Sequence, residues 1–248
     1  MLRGIYTAAS GLNVQQAGLD VAGNNIANFQ TPGFKQDRLS AGSFPAVLLI
    51  RLERETQLTP VGQTCYGVQV SSIETSFEQG PLENTGNLRD VALEGDGFLV
   101  AATPDGERYF RTGTLFVDQE GYLVTSGGHQ VLGENGPVRI EGGEFKIFAD
   151  GTVVSGQNPV DRLRVVTFQD QNALVKEGAG YFSAPGIQPD PAVAAKVRQG
   201  VLEGSNVELT DEMVRLIEGV RAYQLCQRAL RTHDALLDRA VNQVGKTD

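Results

Sequence analysis

The chain has 248 residues, of which 40% are hydrophobic, and a formal net charge of −9, so it can bury a core without disulfides or metal ions. Because the charge is negative and no cluster of lysine and arginine appears, the composition excludes an ordinary nucleic-acid-binding surface. Cys65 and Cys226 lie far apart and lack metal-ligand spacing, which favours two buried free thiols over a disulfide or a metal site. The absence of tryptophan and the 30 glycines favour tight turns over a large aromatic core.

The first predicted element is a helix over residues 1 to about 28. Apolar or neutral residues recur through it with heptad spacing, and Asp20 is its only charged residue after Arg3. Asn, Pro and Gly within residues 28–34 then form a stop signal. Because the polar side of this helix is uncharged and rich in Asn and Gln, we expect it to contact other subunits rather than solvent.

A strip of glycines marks one side of this helix. Gly4, Gly11 and Gly18 fall seven residues apart and therefore share a face. Each costs about 1 kcal/mol relative to alanine in a helix interior, so the helix is marginal alone. We expect the strip to allow close approach of another backbone.

The middle of the chain predicts β structure. Residues 36–64 are irregular and indicate a connector that is partly extended, whereas short Val-, Ile-, Phe- and Tyr-rich runs over residues 66–182 alternate with turn signals such as Asn135-Gly136. This pattern is typical of an antiparallel, largely all-β domain. A stiff link follows at residues 186–191.

The last predicted element is a helix over residues 207–244, opened by a capping-box spacing between Ser205 and Glu208. Its exposed side carries mixed charges, as expected of a solvated face. It contains a second heptad run, formed by Leu209, Met213, Leu216, Val220, Tyr223, Gln227, Leu230, Leu237, Val241 and Val244.

These elements predict an α+β fold. Long N- and C-terminal helices pair as a coiled-coil-like domain, and the central domain is mostly antiparallel all-β. We expect residues 1–35 and 205–248 to form a discontinuous helical assembly domain, residues 36–65 a connector, and residues 66–204 the β domain.

Motifs for catalysis are missing from the sequence. His129 lies in a predicted hairpin turn, His233 lies among polar residues of the last helix, and no hydrolase elbow, zinc-binding helix or phosphate loop occurs. The sequence therefore predicts no enzyme and no cofactor. The longest apolar run, Phe44 to Ile50, is too short to span a membrane, and no cleaved signal peptide is predicted.

Three separated segments resemble the bacterial flagellar basal-body rod and hook proteins, specifically the group that contains the proximal and distal rod subunits. The first is at the N-terminus, in residues 7–12 (TAASGL), 20–28 (DVAGNNIAN) and 31–35 (TPGFK). The second, VALEGDGF at residues 91–98, resembles the β domain of these proteins. The third comprises GSNVELTDEMV at residues 204–214 and RAYQ at 221–224, which are similar to the terminal helix of the family.

The resemblance implies a structural subunit whose terminal helices pack in the inner tube of a hollow filament, with the β domain facing outward against neighbouring subunits. It implies that the partners are copies of the chain, other rod and hook axial proteins, and the flagellar type III export apparatus. The implied location is the flagellar basal body, outside the inner membrane. Together with the heptads, it places the assembly interface at Leu2, Ile5, Ala9, Gly11, Leu12, Gln16, Gly18, Leu19, Asn24, Asn25, Ile26, Asn28, Leu209, Met213, Leu216, Val220, Tyr223, Leu230 and Leu237.

Two alternatives stay open at the level of sequence. A cytoplasmic coiled-coil adaptor would use the same helices to form a small oligomer instead of a filament. A carbohydrate-active β enzyme with accessory helices would keep its activity when both helices are deleted.

Overall fold

The structure, a computed structural model, describes residues 2–53, 57–142, 144–156, 158–192 and 195–242. The chain divides into two units, each of which draws on separate parts of the sequence. Unit 1 consists of Met1–Ala27, Asp37–Glu74 and Glu208–Asp248, and unit 2 consists of Asn28–Gln36 and Thr75–Val207.

Unit 1 contains both long helices, α1 (Leu2–Ala27) and α2 (Leu209–Asn242). Both were predicted, and their presence at the two ends of the chain is confirmed. The predicted capping box is wrong, because the Ser205 hydroxyl accepts a hydrogen bond from the Val207 amide at 3.2 Å and α2 begins only at Leu209. Asp211 and Glu212 lie in the first turn, where their negative charges interact favourably with the helix dipole.

Unit 1 also contains four strands. Three of them lie in residues 36–65, where the sequence indicated a partly extended connector, and the fourth lies beyond it, in the stretch predicted as the β domain. They are β1 (Asp37–Ser43), β2 (Val47–Glu53), β3 (Gln57–Thr64) and β4 (Val68–Thr75). β2 and β3 pair antiparallel, and β1 pairs with β4.

Unit 2 is built almost entirely of short strands, as predicted. Every pairing described within it is antiparallel. Its strands are β5 (Leu82–Asn84), β6 (Asp90–Glu94), β7 (Phe98–Thr103), β8 (Gly106–Phe110), β9 (Thr112–Val117), β10 (Leu123–Thr125), β11 (Gln130–Gly133), β12 (Gly136–Pro137), β13 (Lys146–Ile147), β14 (Thr152–Ser155), β15 (Asn158–Arg162), β16 (Val165–Thr167), β17 (Val175–Gly178), β18 (Tyr181–Ser183), β19 (Asp190–Pro191), β20 (Lys196–Gln199) and β21 (Val201–Glu203).

The main sheet of unit 2 runs in the order β17-β18-β8-β7-β11-β10-β9-β6-β20, and the first four residues of β7 are buried. Alternate residues of β7 enter two separate cores: Leu99 and Ala101 join a mainly aliphatic cluster, and Phe98 and Val100 join an aromatic one. The second cluster contradicts the expectation of a core without many aromatic side chains. Its rings lie 4.9 to 5.8 Å apart between centroids, and they belong to Phe77, Phe98, Tyr109, Phe168 and Phe182.

Both cysteines are free. Cys226 is half-buried, but Cys65 is exposed, so the expectation of two buried thiols is wrong for Cys65. Among the described residues, neither helix combines the length and apolar character needed to cross a membrane.

Candidate assembly interface

Within unit 1, α1 and α2 pack against each other in opposite directions through a ladder of small residues. A Cβ atom added to Gly4 would lie 2.6 Å from the His233 ring, and one added to Gly11 would lie 3.2 Å from the Cys226 Sγ atom. On the other helix, a Cβ added to Gly219 would lie 3.0 Å from Leu19 Cδ2. The steps are seven residues along α2, and seven and then eight residues along α1. At each step a glycine of one helix meets a side chain of the other.

This ladder changes the interpretation of the glycine strip. Gly4 and Gly11 are used inside the chain, and His233 is part of the helix pair instead of one of several solvated polar residues. The His233 Nδ1 atom is buried and has no hydrogen-bond partner among the described residues. Of the three glycines in the strip, only Gly18 has open space in front of it, with no described atom of another element within 4 Å of where a Cβ would lie.

The residues of the predicted assembly interface differ in exposure. Gln16, Asn24 and Met213 are exposed, and Asn25 is buried, while for Leu2 only the backbone is described. The remaining residues are half-buried; they are Ile5, Ala9, Gly11, Leu12, Gly18, Leu19, Ile26, Asn28, Leu209, Leu216, Val220, Tyr223, Leu230 and Leu237.

Asn25 serves the fold of its own chain. Its side-chain amide donates to the Asp37 carbonyl at 2.8 Å and accepts from the Asp37 amide at 3.0 Å, so both of its polar ends are used. Asn25 is 1% exposed, and Val14 and Ala22 on the same face of α1 are also buried. The heptad pattern did not predict these two residues because their spacing follows an i, i+4 ridge instead.

A turn of unit 1 covers another side of α1. The Ser10 hydroxyl accepts from the Val68 amide at 3.2 Å, and the Arg3 guanidinium lies 5.2 Å from the Tyr66 ring centroid. Gly67, whose φ is +144°, allows this contact, since a Cβ there would overlap Ser10 Oγ.

The side of α2 that was expected to be a solvated charged face carries large apolar residues. Val214 and Ile217 are each 50% exposed, Leu225 is 63% exposed and Leu236 is 46% exposed. At about 100° per residue, these four side chains fall within one arc of about 100°. We call them the outer stripe of α2.

The outer stripe has a sequence signal that a heptad search does not detect. Val214, Leu225 and Leu236 repeat every eleven residues, a spacing that corresponds to three helical turns. Arg221 and Arg228 are interspersed on the same face, and their charge suggested a solvated surface. A second apolar face of this kind is typical of a helix that packs against a further element.

Three family models match the chain. The model described as "Flagella basal body rod protein" matches residues 5–35, the one described as "Flagellar hook protein FlgE/F/G D1 domain" matches residues 92–155, and "Flagellar basal body rod FlgEFG protein C-terminal" matches residues 198–243. The first match therefore covers most of α1, the last covers all of α2, and the middle one lies within unit 2.

Similar proteins match over nearly the whole length. The flagellar basal-body rod protein FlgG of Bacillus subtilis is 31% identical, over 98% of this chain and 99% of its own length. FlgG of Borreliella burgdorferi and the rod protein FlgF of Caulobacter vibrioides are each 32% identical, over 98% of both chains. This chain therefore belongs to the flagellar basal-body rod protein family and is a structural subunit of the rod.

Proposed function

We propose that this rod subunit polymerises through α1 and α2 into a hollow helical shaft that transmits torque, and that its helices pair with those of neighbouring subunits in a coiled-coil-like manner. The observation that carries the proposal is the outer stripe of α2. Its apolar side chains are exposed in the part of the chain that the structure describes, although α1 already covers the opposite face of the helix. We infer that the stripe binds a helix of a second copy.

The estimated free energy of this contact favours an interface with several neighbouring subunits. Fully burying a side chain of this size contributes about 1.5–3 kcal/mol, so four that are about half exposed can contribute roughly 3–6 kcal/mol. Association itself costs about 4–15 kcal/mol. Because one stripe offsets only the lower part of this cost, each subunit needs further contacts, such as those with several neighbours in a filament.

The partners that we propose are copies of this chain, other axial proteins of the rod and hook, and the flagellar type III export apparatus. Family membership supports the first two, and the resemblance of the chain to rod proteins supports the third. In this proposal the subunit leaves the cell through that apparatus and assembles outside the inner membrane. Retention of the protein in the cytoplasm of a strain with a disabled export apparatus is the expected result, and secretion from such a strain would contradict it.

The stripe is tested by Leu225→Asp. Because Leu225 is exposed in the single chain, the variant should keep the helicity and melting temperature of the wild-type monomer. A charge buried against another helix costs several kcal/mol, so polymerisation should be lost. Negative-stain electron microscopy of concentrated protein and circular dichroism of the monomer measure the two properties.

Gln224→Asp is the matched control, because it adds the same charge at an exposed neighbouring position outside the stripe. It should polymerise far better than Leu225→Asp. Filaments of normal length from Leu225→Asp would contradict the proposal. A discrete dimer of the wild-type protein in place of filaments would instead favour the adaptor alternative.

A further inference from the structure

Three charged side chains are completely enclosed within unit 2. Glu203 and Lys35 are 0% exposed and Arg111 is 1% exposed. Glu203 Oε1 accepts from Lys35 Nζ at 2.6 Å, and Glu203 Oε2 accepts from Arg111 Nε at 3.1 Å. Since burial of an unpaired charge is very costly, one carboxylate here holds two cations in place.

The same cluster connects three segments that are distant in sequence. Lys35 Nζ also donates to the Glu78 carbonyl at 2.7 Å, and the Gly80 amide donates to Glu203 Oε1 at 3.0 Å. The Gly33 amide donates to the Glu203 carbonyl at 2.8 Å. Residues 33–36, 78–80 and 203 are thus joined by direct hydrogen bonds.

Asn206 makes a second set of links among these segments. Its side chain accepts from the Gln36 amide at 2.7 Å and donates to the carbonyls of Ser76 at 2.9 Å and Glu78 at 3.1 Å. Gly80 packs so closely that a Cβ there would overlap the Gly204 carbonyl oxygen. This close packing requires glycine at position 80.

These three segments lie next to long elements of the chain. Residues 28–36 follow α1, residues 76–80 follow β4, and residues 203–207 precede α2. The cluster therefore lies where the chain enters and leaves unit 2. A buried ion pair is often no more stabilising than apolar residues of the same volume, but loss of one partner is strongly unfavourable, so such a cluster permits one geometry and penalises others.

We propose that Glu203, with Lys35 and Arg111, is a positioning cluster that holds the segment after α1 and the segment before α2 in one geometry within unit 2. The proposal rests on the proposed function for its consequence in assembly. Its structural part, the local ordering of residues 31–36 and 76–80 by the cluster, holds for the free subunit and can be measured there.

Lys35→Met tests the structural part in the full-length monomer. Hydrogen exchange at the Gly33, Gln36 and Ser76 amides should become about tenfold faster, while exchange in β7 stays unchanged. Arg164→Met is the matched control, since it removes a cation of unit 2 from an exposed pair with Glu107 at 2.8 Å, and it should leave all of these amides unchanged.

Asn206→Ala provides a second variant if Lys35→Met fails to fold, because it removes links between the same segments without leaving a buried charge unpaired. The same local acceleration is expected. Uniform acceleration throughout unit 2, or no change in either variant, would overturn the proposal, because the cluster would then contribute only to general stability or to nothing measurable.

Polymerisation separates this inference from the proposed function. Variants with locally opened segments should form short or irregular filaments under conditions in which the wild type forms regular ones. Regular filaments from such variants would overturn the positioning role while leaving polymerisation itself intact. Failure of the wild type to polymerise would contradict the proposed function, and the exchange result would still decide whether the cluster orders the segments.

Discussion

At the scale of single residues, the surroundings of a side chain decide its role more than its type does. Gly11 faces the Cys226 Sγ atom across the helix pair, whereas Gly18, one heptad later, faces open space. Lys35 and Glu203 belong to residue types that are usually exposed, and they lie 168 positions apart. The sequence therefore contains no signal for the buried cluster, although Lys35 closes the TPGFK segment that resembles the rod proteins.

The two glycines predict opposite effects of the same substitution. Gly18→Leu should make the helix pair of the monomer slightly more stable, since glycine costs about 0.8–1 kcal/mol in a helix interior. Gly11→Leu must displace Cys226, and overpacking of this kind costs about 1–3 kcal/mol. Thermal melting followed by helical circular dichroism should place Gly11→Leu clearly below Gly18→Leu, and equal melting curves would contradict the ladder.

Lys35 also predicts a dependence of stability on pH. Burial lowers the pKa of Lys35 below its ordinary value of 10.5, although the Glu203 carboxylate opposes the shift. Between the lowered pKa and 10.5, the unfolded chain binds more protons at this site than the folded chain does, so the contribution of Lys35 to stability increases as the pH rises. Urea unfolding should show that the free energy of unfolding of the wild type increases relative to that of Lys35→Met as the pH approaches 10.5. A constant difference between the two free energies would contradict this.

At the scale of elements, the heptad pattern predicted both helices, but the α2 residues that meet α1 in the ladder, Gly219, Cys226 and His233, lie outside the predicted heptad run. The pattern did not distinguish contacts within the chain from contacts between chains, because both use the same spacing. The sequence did not predict the strands in the connector, because Pro60 and Gly62 disfavour strand structure. In the structure, Leu49 pairs with Gly62 and Ile50 with Pro60, so a register shift accommodates the proline.

At the scale of the whole molecule, the chain passes repeatedly between its two units. The sequence grouped residues 28–35 with the helices and began the β domain at residue 66, whereas the structure groups Asn28–Gln36 with unit 2 and assigns residues 37–74 to unit 1. Turn signals and alternation predicted the β architecture, but hydrogen bonds between distant segments decide where its boundary lies. Local sequence patterns do not contain this information.

Two fragments test this boundary. A fragment of residues 28–207 keeps Lys35, Arg111 and Glu203. A fragment of residues 66–200 lacks Lys35 and Glu203, so Arg111 stays buried without a carboxylate partner. Since breaking a buried ion pair costs about 3–5 kcal/mol, the shorter fragment should melt roughly 10 °C lower. Calorimetry of both measures this difference.

Arg111→Met is the control for the fragments. It should raise the melting temperature of the 66–200 fragment, in which the guanidinium has lost its partner, and lower that of the 28–207 fragment, in which it is paired. The same direction of change in both fragments would show that the cluster does not account for the difference.

The two repeats on α2 have a mechanical consequence. The ladder that faces α1 advances by seven residues, a period that favours left-handed winding, and the outer stripe advances by eleven, a period that favours right-handed winding. If the outer stripe binds a second copy as proposed, α2 would be pulled toward opposite twists and would resist further twisting in either direction. A shaft made of such helices would behave as a stiff rod under rotation in both senses, rather than as a rope that tightens in one sense and loosens in the other.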